Sequence, residues 1–408
     1  MSAPIAIPGK LPRVNLRTPD VMAAVQAQVE SHYRSEIVER LRNSGGVISF
    51  EGITLKLAKQ FGFCYGVERA IDLAYAARKV FKERRLFILG EIIHNPEVNE
   101  QISALGIKNL IGERREAEID NLTAEDVVIV PAFGTEVSTL ARIKDRGCEI
   151  VDTTCGDVMS VWKRVRQYAN ENATSIIHGK AEHEETKATS SRATFNGHGH
   201  YLVVLTLDET DSVCDYIRSG GDKAKFLERF KGAHSPGFDP DVHLKTVGVA
   251  NQTTMLRGET EEVQRRINAA IRDRDGTGAG KNFRFFDTIC GATQERQDAL
   301  REMLGERTDF LLVIGGYNSS NTSHLAEMGE EKMPTYFVRN ASRLESTKRI
   351  VHYDLRLKKE VVTENWLPSR PLIAGITAGA SCPNNLIEET ILRLFALHDI
   401  TLEALLAA

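Results

Sequence analysis

Residues 53–81 set the pattern of the fold, and they read ITLKLAKQFGFCYGVERAIDLAYAARKVF. The segment begins with alternating apolar and polar residues, which is typical of a strand. It ends with apolar residues at helical spacing. Between the two lies the short loop FGFCYG, which contains Cys64. A strand, a polar loop and an amphipathic helix in this order form a βα unit.

The same order of strand, loop and helix recurs along the rest of the chain. Strands that alternate with helical patterns predict an α/β fold with mainly parallel sheets. In such sheets the loops at the carboxyl ends of the strands lie at one edge, where ligands bind. The repeated segments are VVIVPAFGTEVSTLARIK, EIVDTTCGDVMSVWKRVRQY, SIIHGKAEHEETKATS, VGVANQTTMLRGETEEVQRRINAAI, FRFFDTICGATQERQDALREML, FLLVIGGYNSSNTSHLAEM and LIAGITAGASCPNNLIEETILRLFAL.

Two of these loops resemble each other. Residues 152–156 read DTTCG and residues 287–291 read DTICG, and each pentapeptide follows an apolar run and enters a helix. Cys64 lies at the same kind of junction. Unless the likeness arose by chance, the sequence predicts three related α/β lobes with one cysteine each. The predicted division is 1–52 for an N-terminal extension, 53–154, 155–286 and 287–381 for the lobes, with a surface insertion near 217–245, and 382–408 for a C-terminal helix and tail.

Two further segments carry no predicted chemistry. The extension should contain a helix from Asp20 to Asn43, which ends before the Ser44–Gly46 turn. Residues 276–281, GTGAGK, superficially resemble a phosphate-binding loop, but no strand precedes them and Asn282 stands where that motif needs Ser or Thr. We expect them to form a flexible linker.

Composition narrows the class of protein. The 408 residues carry a net charge of −4 and contain no long block of like charge, so nucleic acid is not an expected partner. No run of 18 apolar residues is present, which argues against a membrane span. The N-terminus lacks the pattern of a signal peptide, so we expect a cytoplasmic protein, with the plastid stroma as the alternative.

The six cysteines are scattered and form no C-x-x-C motif. Cys64, Cys155 and Cys290 each stand just before a helix, where the positive end of the helix dipole favours the thiolate. Thiolates bind iron–sulfur clusters, and three of them would leave one iron of a four-iron cluster open to substrate. The alternatives are three cysteines buried at helix starts, or a zinc site with three thiolates.

Other loops predict an anion site. GGYNSSNTS at 315–323 and TAGAS at 377–381 each follow an apolar strand, and the first opens a helix. Backbone N–H groups and small hydroxyl side chains at helix starts bind phosphates, although ordinary N-capping is the simpler explanation of one such loop. His94 and His183 could contact phosphate or relay protons, and Glu185 could donate a proton if it is desolvated.

Eight ordered motifs together resemble the 4-hydroxy-3-methylbut-2-enyl diphosphate reductase family, in its plastid and cyanobacterial branch. The resemblance spans about residues 53–395. The motifs are FGFCYGVERA (61–70), EIIHNPEVNE (91–100), DTTCGDV (152–158), HEET (183–186), NQTTM (251–255), DTICGATQERQDA (287–299), GGYNSSNTSHL (315–325) and TAGAS (377–381).

The resemblance implies a trefoil of three α/β lobes around a central 4Fe-4S cluster with one open iron. It implies reductive removal of the allylic hydroxyl, which yields isopentenyl and dimethylallyl diphosphates and water in the last step of the methylerythritol phosphate route. The expected partners are the small allylic diphosphate and ferredoxin or flavodoxin as electron donor. The protein would be a monomer or a homodimer, without nucleic acid or membrane.

Site residues also follow from the resemblance. Cys64, Cys155 and Cys290 would hold the cluster. Glu185 would supply protons through Thr253, with His183 as a further catalytic residue. The residues expected to contact substrate are His94, His183, Thr253, Ser319, Ser320, Asn321 and Ser381.

One position departs from many bacterial relatives, which have a histidine that binds diphosphate where this chain has Phe133 in Pro131–Gly134. Phenylalanine cannot donate a hydrogen bond, so the way in which diphosphate is held should differ while the reaction stays the same. The rival interpretations are a quinolinate synthase-like enzyme with an open iron, an iron–sulfur sensor that binds diphosphate, and a cluster-free α/β binding protein.

Overall fold

The computed structural model describes residues 15–194, 197, 199–286, 288–401 and 403. Asp287, the first residue of the pentapeptide DTICG, lies outside these residues. Parts of the predicted N-terminal extension and of the predicted C-terminal tail also lie outside them. Four sheets are present in the described part of the chain, and three of them form the centres of α/β lobes. The predicted α/β class with mainly parallel sheets is confirmed.

Two short helices precede the lobes, α1 (Pro19–Tyr33) and α2 (Glu36–Asn43). The single helix predicted from Asp20 to Asn43 is therefore interrupted. The break occurs because Arg34 and Ser35 adopt extended backbone, and the Ser35 hydroxyl accepts a hydrogen bond of 2.9 Å from the N–H of Val38 to cap α2.

The first lobe has a parallel sheet in the order β4-β3-β5-β6. Leu86, Ile88, Val127 and Ile129 from its strands share an apolar core with Ile71 of the long helix α3. The strands are β3 (Leu86–Ile88), β4 (Ile107–Asn109), β5 (Val127–Val130) and β6 (Glu149–Asp152), and the helices are α3 (Tyr65–Val80), α4 (Pro96–Ala104), α5 (Arg115–Asp120) and α6 (Val137–Asp145).

The second lobe has a parallel sheet in the order β10-β9-β7-β8. Its strands are β7 (Thr174–His178), β8 (Tyr201–Val204), β9 (Val247–Asn251) and β10 (Phe283–Phe285). Its helices are α7 (Gly156–Asn170), α8 (Glu184–Ala193), α9 (Leu207–Ser219), α10 (Lys223–Arg229), α11 (Pro240–His243) and α12 (Arg257–Asp275).

Two predictions for the second lobe need correction. Residues 217–245 are not merely a surface insertion, because Phe226, Phe230 and Phe238 of this segment are buried in the core of the lobe. Residues Gly276–Lys281 form a 3-10 helix rather than an irregular linker. A helix, α12, precedes them instead of a strand, in agreement with the rejection of a phosphate-binding loop.

The third lobe has a mixed sheet in the order β1-β2-β16-β11-β12, in which only β1 is antiparallel to its neighbour. An antiparallel sheet of β13, β14 and β15 adjoins it. The strands are β1 (Val47–Phe50), β2 (Ile53–Leu57), β11 (Phe310–Ile314), β12 (Thr335–Val338), β13 (Leu344–Ser346), β14 (Arg349–Asp354), β15 (Lys359–Glu364) and β16 (Leu372–Ala378), and the helices are α13 (Gly291–Leu304), α14 (Ser320–Glu330) and α15 (Asn384–Ala396).

Strand β2 lies in a different lobe from the one predicted. The sequence division placed residues 53–57 in the first lobe, but they pair with β16 of the third, for example Ala374 with Leu55. The reason is that Ile53, Leu55 and Leu57 join the apolar core of the third lobe. The other lobe boundaries stay predictions.

The three lobes are linked in a cyclic way. Three short connections pass from the sheet of one lobe to a helix of the next: β2 to α3, β6 to α7, and β10 to α13. Helix α7 contacts β7 and β9 of the second lobe, and α13 contacts α14 of the third. A cysteine stands at the start of each of these helices, so the topology places all three cysteines at the junctions between lobes.

Candidate active site

Cys64, Cys155 and Cys290 occupy the N-cap positions of α3, α7 and α13. All three line one cavity of about 120 Å³. The close approach of Cys155 to α3 is visible at Gly66, where an added Cβ would lie 2.6 Å from Sγ of Cys155 and 3.9 Å from Sγ of Cys64. The structure therefore brings together three thiols that are up to 226 residues apart in the sequence.

Burial opposes the helix dipole at Cys155 and Cys290. It raises the pKa of Cys155, and burial together with a hydrogen bond to Asp157 raises the pKa of Cys290 to about 12. The thiolate forms of these two cysteines, which the sequence led us to expect, are thus disfavoured in the protein alone. A positively charged metal centre would supply the missing stabilisation, since metal ligation requires the deprotonated sulfur.

The other three cysteines are placed differently. Cys148, Cys214 and Cys382 are buried in three separate apolar clusters, one in each lobe. They behave as small apolar core residues. The donor set that could fit an iron–sulfur cluster is therefore the set of three thiols at the cavity.

His183 presents a fixed donor to the cavity. Its Nδ1 caps α8 by accepting a hydrogen bond of 3.1 Å from the N–H of Glu185, so in the neutral ring the proton lies on Nε2. The pKa of His183 lies well below its usual value. Burial is the main cause, and the nearby His94 is the second. Nε2 is buried and has no partner among the described residues.

His94 lies beside His183, with ring centroids 5.0 Å apart. Its Nδ1 is 3.1 Å from Oε2 of Glu91. Its Nε2 is buried without a hydrogen-bond partner in the described part of the chain, and Oε2 of Glu184 lies 3.7 Å from it. Phe133 stacks on the His94 ring, with centroids 4.6 Å apart and an interplanar angle of 14°. The aromatic side chain at position 133 therefore orients a histidine instead of donating a hydrogen bond itself.

The third lobe contributes the polar end of the cavity. Asn321 accepts a hydrogen bond of 2.9 Å from the N–H of Ala380 through Oδ1, which leaves its buried Nδ2 without a partner among the described residues. The hydroxyl of Ser320 is likewise buried and unpaired there. The hydroxyl of Ser381 donates to the carbonyl of His94 at 3.1 Å and lies 3.3 Å from Oγ of Ser319.

These polar groups are arranged as an anion site would require. Among the described residues that line the cavity, the buried atoms without a hydrogen-bond partner are Nε2 of His94, Nε2 of His183, Oγ of Ser320 and Nδ2 of Asn321. Buried polar groups are normally hydrogen-bonded, so an unpaired set around one space indicates a missing ligand. The start of α14 adds its helix dipole, which favours negative charge.

Glu185 and Thr253 form a buried pair beyond the carboxyl ends of β7 and β9. Both oxygens of Glu185 are engaged by Thr253, one by its N–H at 2.6 Å and one by its hydroxyl at 2.9 Å. Burial raises the pKa of Glu185 to about 7 even though these hydrogen bonds oppose the shift. A carboxyl with this pKa can hold or release a proton near neutral pH.

All residues named from the sequence as site residues line this cavity. The reason is that each of the non-cysteine residues follows the carboxyl end of a parallel strand: His94 follows β3, His183 follows β7, Thr253 follows β9, Ser319 follows β11 and Ser381 follows β16. This is the edge at which α/β sheets place ligands.

Sequence reasoning missed three residues. Asp157 lines the cavity and hydrogen-bonds Cys290, and Glu91 contacts His94 on the side away from Nε2. Asn318 donates to Glu91 at 2.7 Å, which ties the third lobe's loop to the first lobe. The only signal available was their position inside the motifs DTTCGDV, EIIHNPEVNE and GGYNSSNTSHL.

Comparison with known proteins points to one family. The model of the LytB protein family matches residues 55–395. A 4-hydroxy-3-methylbut-2-enyl diphosphate reductase of Gloeobacter violaceus is 45% identical over 384 residues, which cover 93% of this chain and 91% of that protein. The reductase of the same name from Thermosynechococcus vestitus is 45% identical over 378 residues, 92% of each chain.

Two solved structures of reductases are similar to this chain. A structure of (E)-4-hydroxy-3-methyl-but-2-enyl diphosphate reductase, described as the terminal enzyme of the non-mevalonate pathway, has 25% identity and a TM-score of 0.52 and covers 84% of this chain and 99% of that one. The reductase from Plasmodium falciparum has the same fold, with a TM-score of 0.61 at 20% identity over 84% of this chain and 87% of that one. No helix in the described residues is long and apolar enough to cross a membrane. The chain belongs to the LytB family of 4-hydroxy-3-methylbut-2-enyl diphosphate reductases.

Proposed function

We propose that this protein removes the allylic hydroxyl of (E)-4-hydroxy-3-methylbut-2-enyl diphosphate. The reaction consumes two electrons and two protons, releases water and gives isopentenyl and dimethylallyl diphosphates, the last step of the methylerythritol phosphate route. One observation carries the proposal. A single cavity is lined by three thiols, a carboxyl with a pKa near 7 and a set of unpaired polar atoms.

Cys64, Cys155 and Cys290 are the proposed ligands of a 4Fe-4S cluster. Three thiols and a space free of other side chains fit that group, and Gly66 keeps the space open because any Cβ there would meet Cys155. When bound, the cluster supplies electrons one at a time and a Lewis-acidic iron for the substrate's oxygen.

The diphosphate is proposed to bind at the third lobe's end of the cavity. Ser319, Ser320, Asn321 and Ser381 would donate to its oxygens, and His94 and His183 would donate through Nε2. The His183 tautomer supports this role, because its Nδ1 is already engaged in capping α8. Glu91 supports the role of His94 by fixing the orientation of its ring, because the carboxylate lies 3.1 Å from Nδ1.

Glu185 is the proposed source of the proton that leaves with the hydroxyl. In its protonated state Glu185 can donate to Oγ1 of Thr253 while Thr253 passes its own proton to the departing oxygen. The separation of 2.9 Å between the two oxygens permits this exchange. The second proton adds to one end or the other of the remaining allylic fragment, which accounts for two products.

Two electrons must come from outside the chain. We propose ferredoxin, with flavodoxin as the alternative, acting on a monomer or homodimer in the cytoplasm or the plastid stroma. Family membership favours this function over a quinolinate synthase-like reaction or a diphosphate-binding sensor.

The test is an anaerobic assay of the purified full chain with substrate, with and without a reduced low-potential electron donor. We expect both products only when the donor is present. Product that forms without reductant would favour a lyase, and a spectral change without product would favour a sensor. Protein that is colourless and iron-free after anaerobic purification would refute the cluster itself.

A further inference from the structure

Arg296 is buried, with only 3% of its surface exposed, and lies near enough to Cys64 and Cys290 to interact with their charge. It belongs to α13, less than two turns after Cys290. Its Nη2 donates to the carbonyl of Gly62 at 2.5 Å, and its Nη1 donates to the carbonyl of Ala292 at 2.7 Å. The guanidinium thus joins the loop that precedes Cys64 to the first turn that follows Cys290.

No carboxylate of the described residues forms a direct ion pair with Arg296, although Glu68 and Glu295 lie near enough to interact with its charge. A guanidinium stays protonated in proteins, and a buried charge is costly unless an opposite charge is near. Both hydrogen bonds of Arg296 go to neutral carbonyls, and its buried Nε has no partner within the described ranges. Burial therefore lowers the pKa of Arg296, and the groups that oppose this shift are Cys64 and Cys290, followed by Glu295.

We propose that Arg296 balances the charge of the iron–sulfur centre and positions two of its ligands. This inference rests on the proposed cluster. Three thiolates outweigh the positive charge of a 4Fe-4S core, so the bound group is anionic and becomes more so with each added electron. A buried cation beside Cys64 and Cys290 stabilises the reduced state more than the oxidised state, and so raises the reduction potential.

A purely structural role makes a different prediction. The two hydrogen bonds alone would hold the Cys64 loop against α13 whatever the charge of the donor. Arg296→Gln removes the charge and keeps an amide donor. Arg296→Lys keeps the charge but loses the planar guanidinium, whose two Nη atoms donate to two different carbonyls. The two variants therefore separate charge from hydrogen bonding.

The experiment measures the midpoint potential of the cluster by anaerobic redox titration followed by electron paramagnetic resonance. Iron and sulfide content are determined on the same samples. We expect Arg296→Gln to make reduction at least tenfold less favourable, which is about 59 mV for one electron. Arg296→Lys should stay near the parent potential. Arg301→Gln is the control, because Arg301 lies on the same helix with an exposed side chain paired to Asp298.

Other outcomes also decide the matter. If Arg296→Gln folds without iron while Arg296→Lys retains it, charge is needed to hold the cluster and the proposal stands. If all variants load a cluster at the parent potential, or if Gln and Lys lower the potential and iron content equally, the charge-balancing role is refuted. A parent protein without iron would instead refute the proposed function, so the two failures are distinguishable.

Discussion

Thr253 holds the carboxyl of Glu185 by both of its oxygens, with its N–H 2.6 Å from Oε1 and its hydroxyl 2.9 Å from Oε2. The two residues are 68 positions apart, and the contact forms because the loops after β7 and β9 leave neighbouring strands at the same edge of the sheet. A buried carboxyl joined to a hydroxyl that faces the cavity forms a short route for a proton.

Replacement of Glu185 tests this route. Glu185→Gln keeps the shape and loses the proton, so we expect turnover to fall by about 100-fold or more while iron content and substrate binding persist. Steady-state rates under anaerobic conditions measure the effect. Glu182→Gln is the control, because its carboxylate is exposed and pairs only with Lys187 in the described structure. Near-normal turnover of Glu185→Gln would exclude the proton role.

The pH dependence follows from the direction of the Glu185 shift. Its pKa is raised to about 7, so the donor is protonated below that pH and becomes a carboxylate above it. We expect turnover to be retained below about pH 7 and to fall roughly tenfold per pH unit above it. Residual turnover of Glu185→Gln should lack this decline. A parent rate that is constant into the alkaline range would contradict the assignment.

Single cysteine replacements test the ligand set. Alanine at Cys64, Cys155 or Cys290 should remove most of the bound iron and sulfide, because three-thiol coordination cannot lose a ligand and stay intact. Cys148→Ala is the matched control, since this thiol is buried in an apolar cluster away from the cavity. It should keep its iron with a stability loss of about 1 kcal/mol. Equal iron loss in all four variants would speak against the ligand assignment.

Gly66 offers a steric test that leaves every thiol in place. A Cβ at this position would lie 2.6 Å from Sγ of Cys155, so Gly66→Ala should displace that sulfur and lower cluster retention several-fold. Gly156→Ala is the control, because a Cβ there meets nothing within 4 Å although it adjoins Cys155. Iron analysis after anaerobic purification distinguishes them, and identical iron content would show that the thiols converge elsewhere.

Phe133 tests how the diphosphate is held. The ring stacks on His94 and donates no hydrogen bond, so Phe133→His should keep measurable activity while it alters the Michaelis constant for the diphosphate. Kinetics of the loaded enzyme measure the change, with iron content as the control for folding. Complete loss of activity in a folded, loaded variant would show that the stacked phenyl ring is essential.

The alternation of strands and helices could be predicted from the sequence, because backbone hydrogen bonding and one-sided burial leave a local periodicity in the residues. The position of the motif loops could also be predicted from the sequence, because parallel strands place the loops at their carboxyl ends along one edge of the sheet. The family resemblance then assigned expected roles to Cys64, Glu185 and Thr253 in advance. What periodicity could not reveal were residues such as Glu91, Asn318 and Arg296, whose partners are distant in the chain.

Local sequence determined which residues begin the helices, and so put Cys64, Cys155 and Cys290 at helix starts. Only the tertiary structure decided that the three meet. Their meeting depends on the pairing of β2 with β16 and on the passage of β6 and β10 into helices of the next lobe. Such long-range pairing follows from the packing of whole apolar faces, which no short stretch of residues encodes.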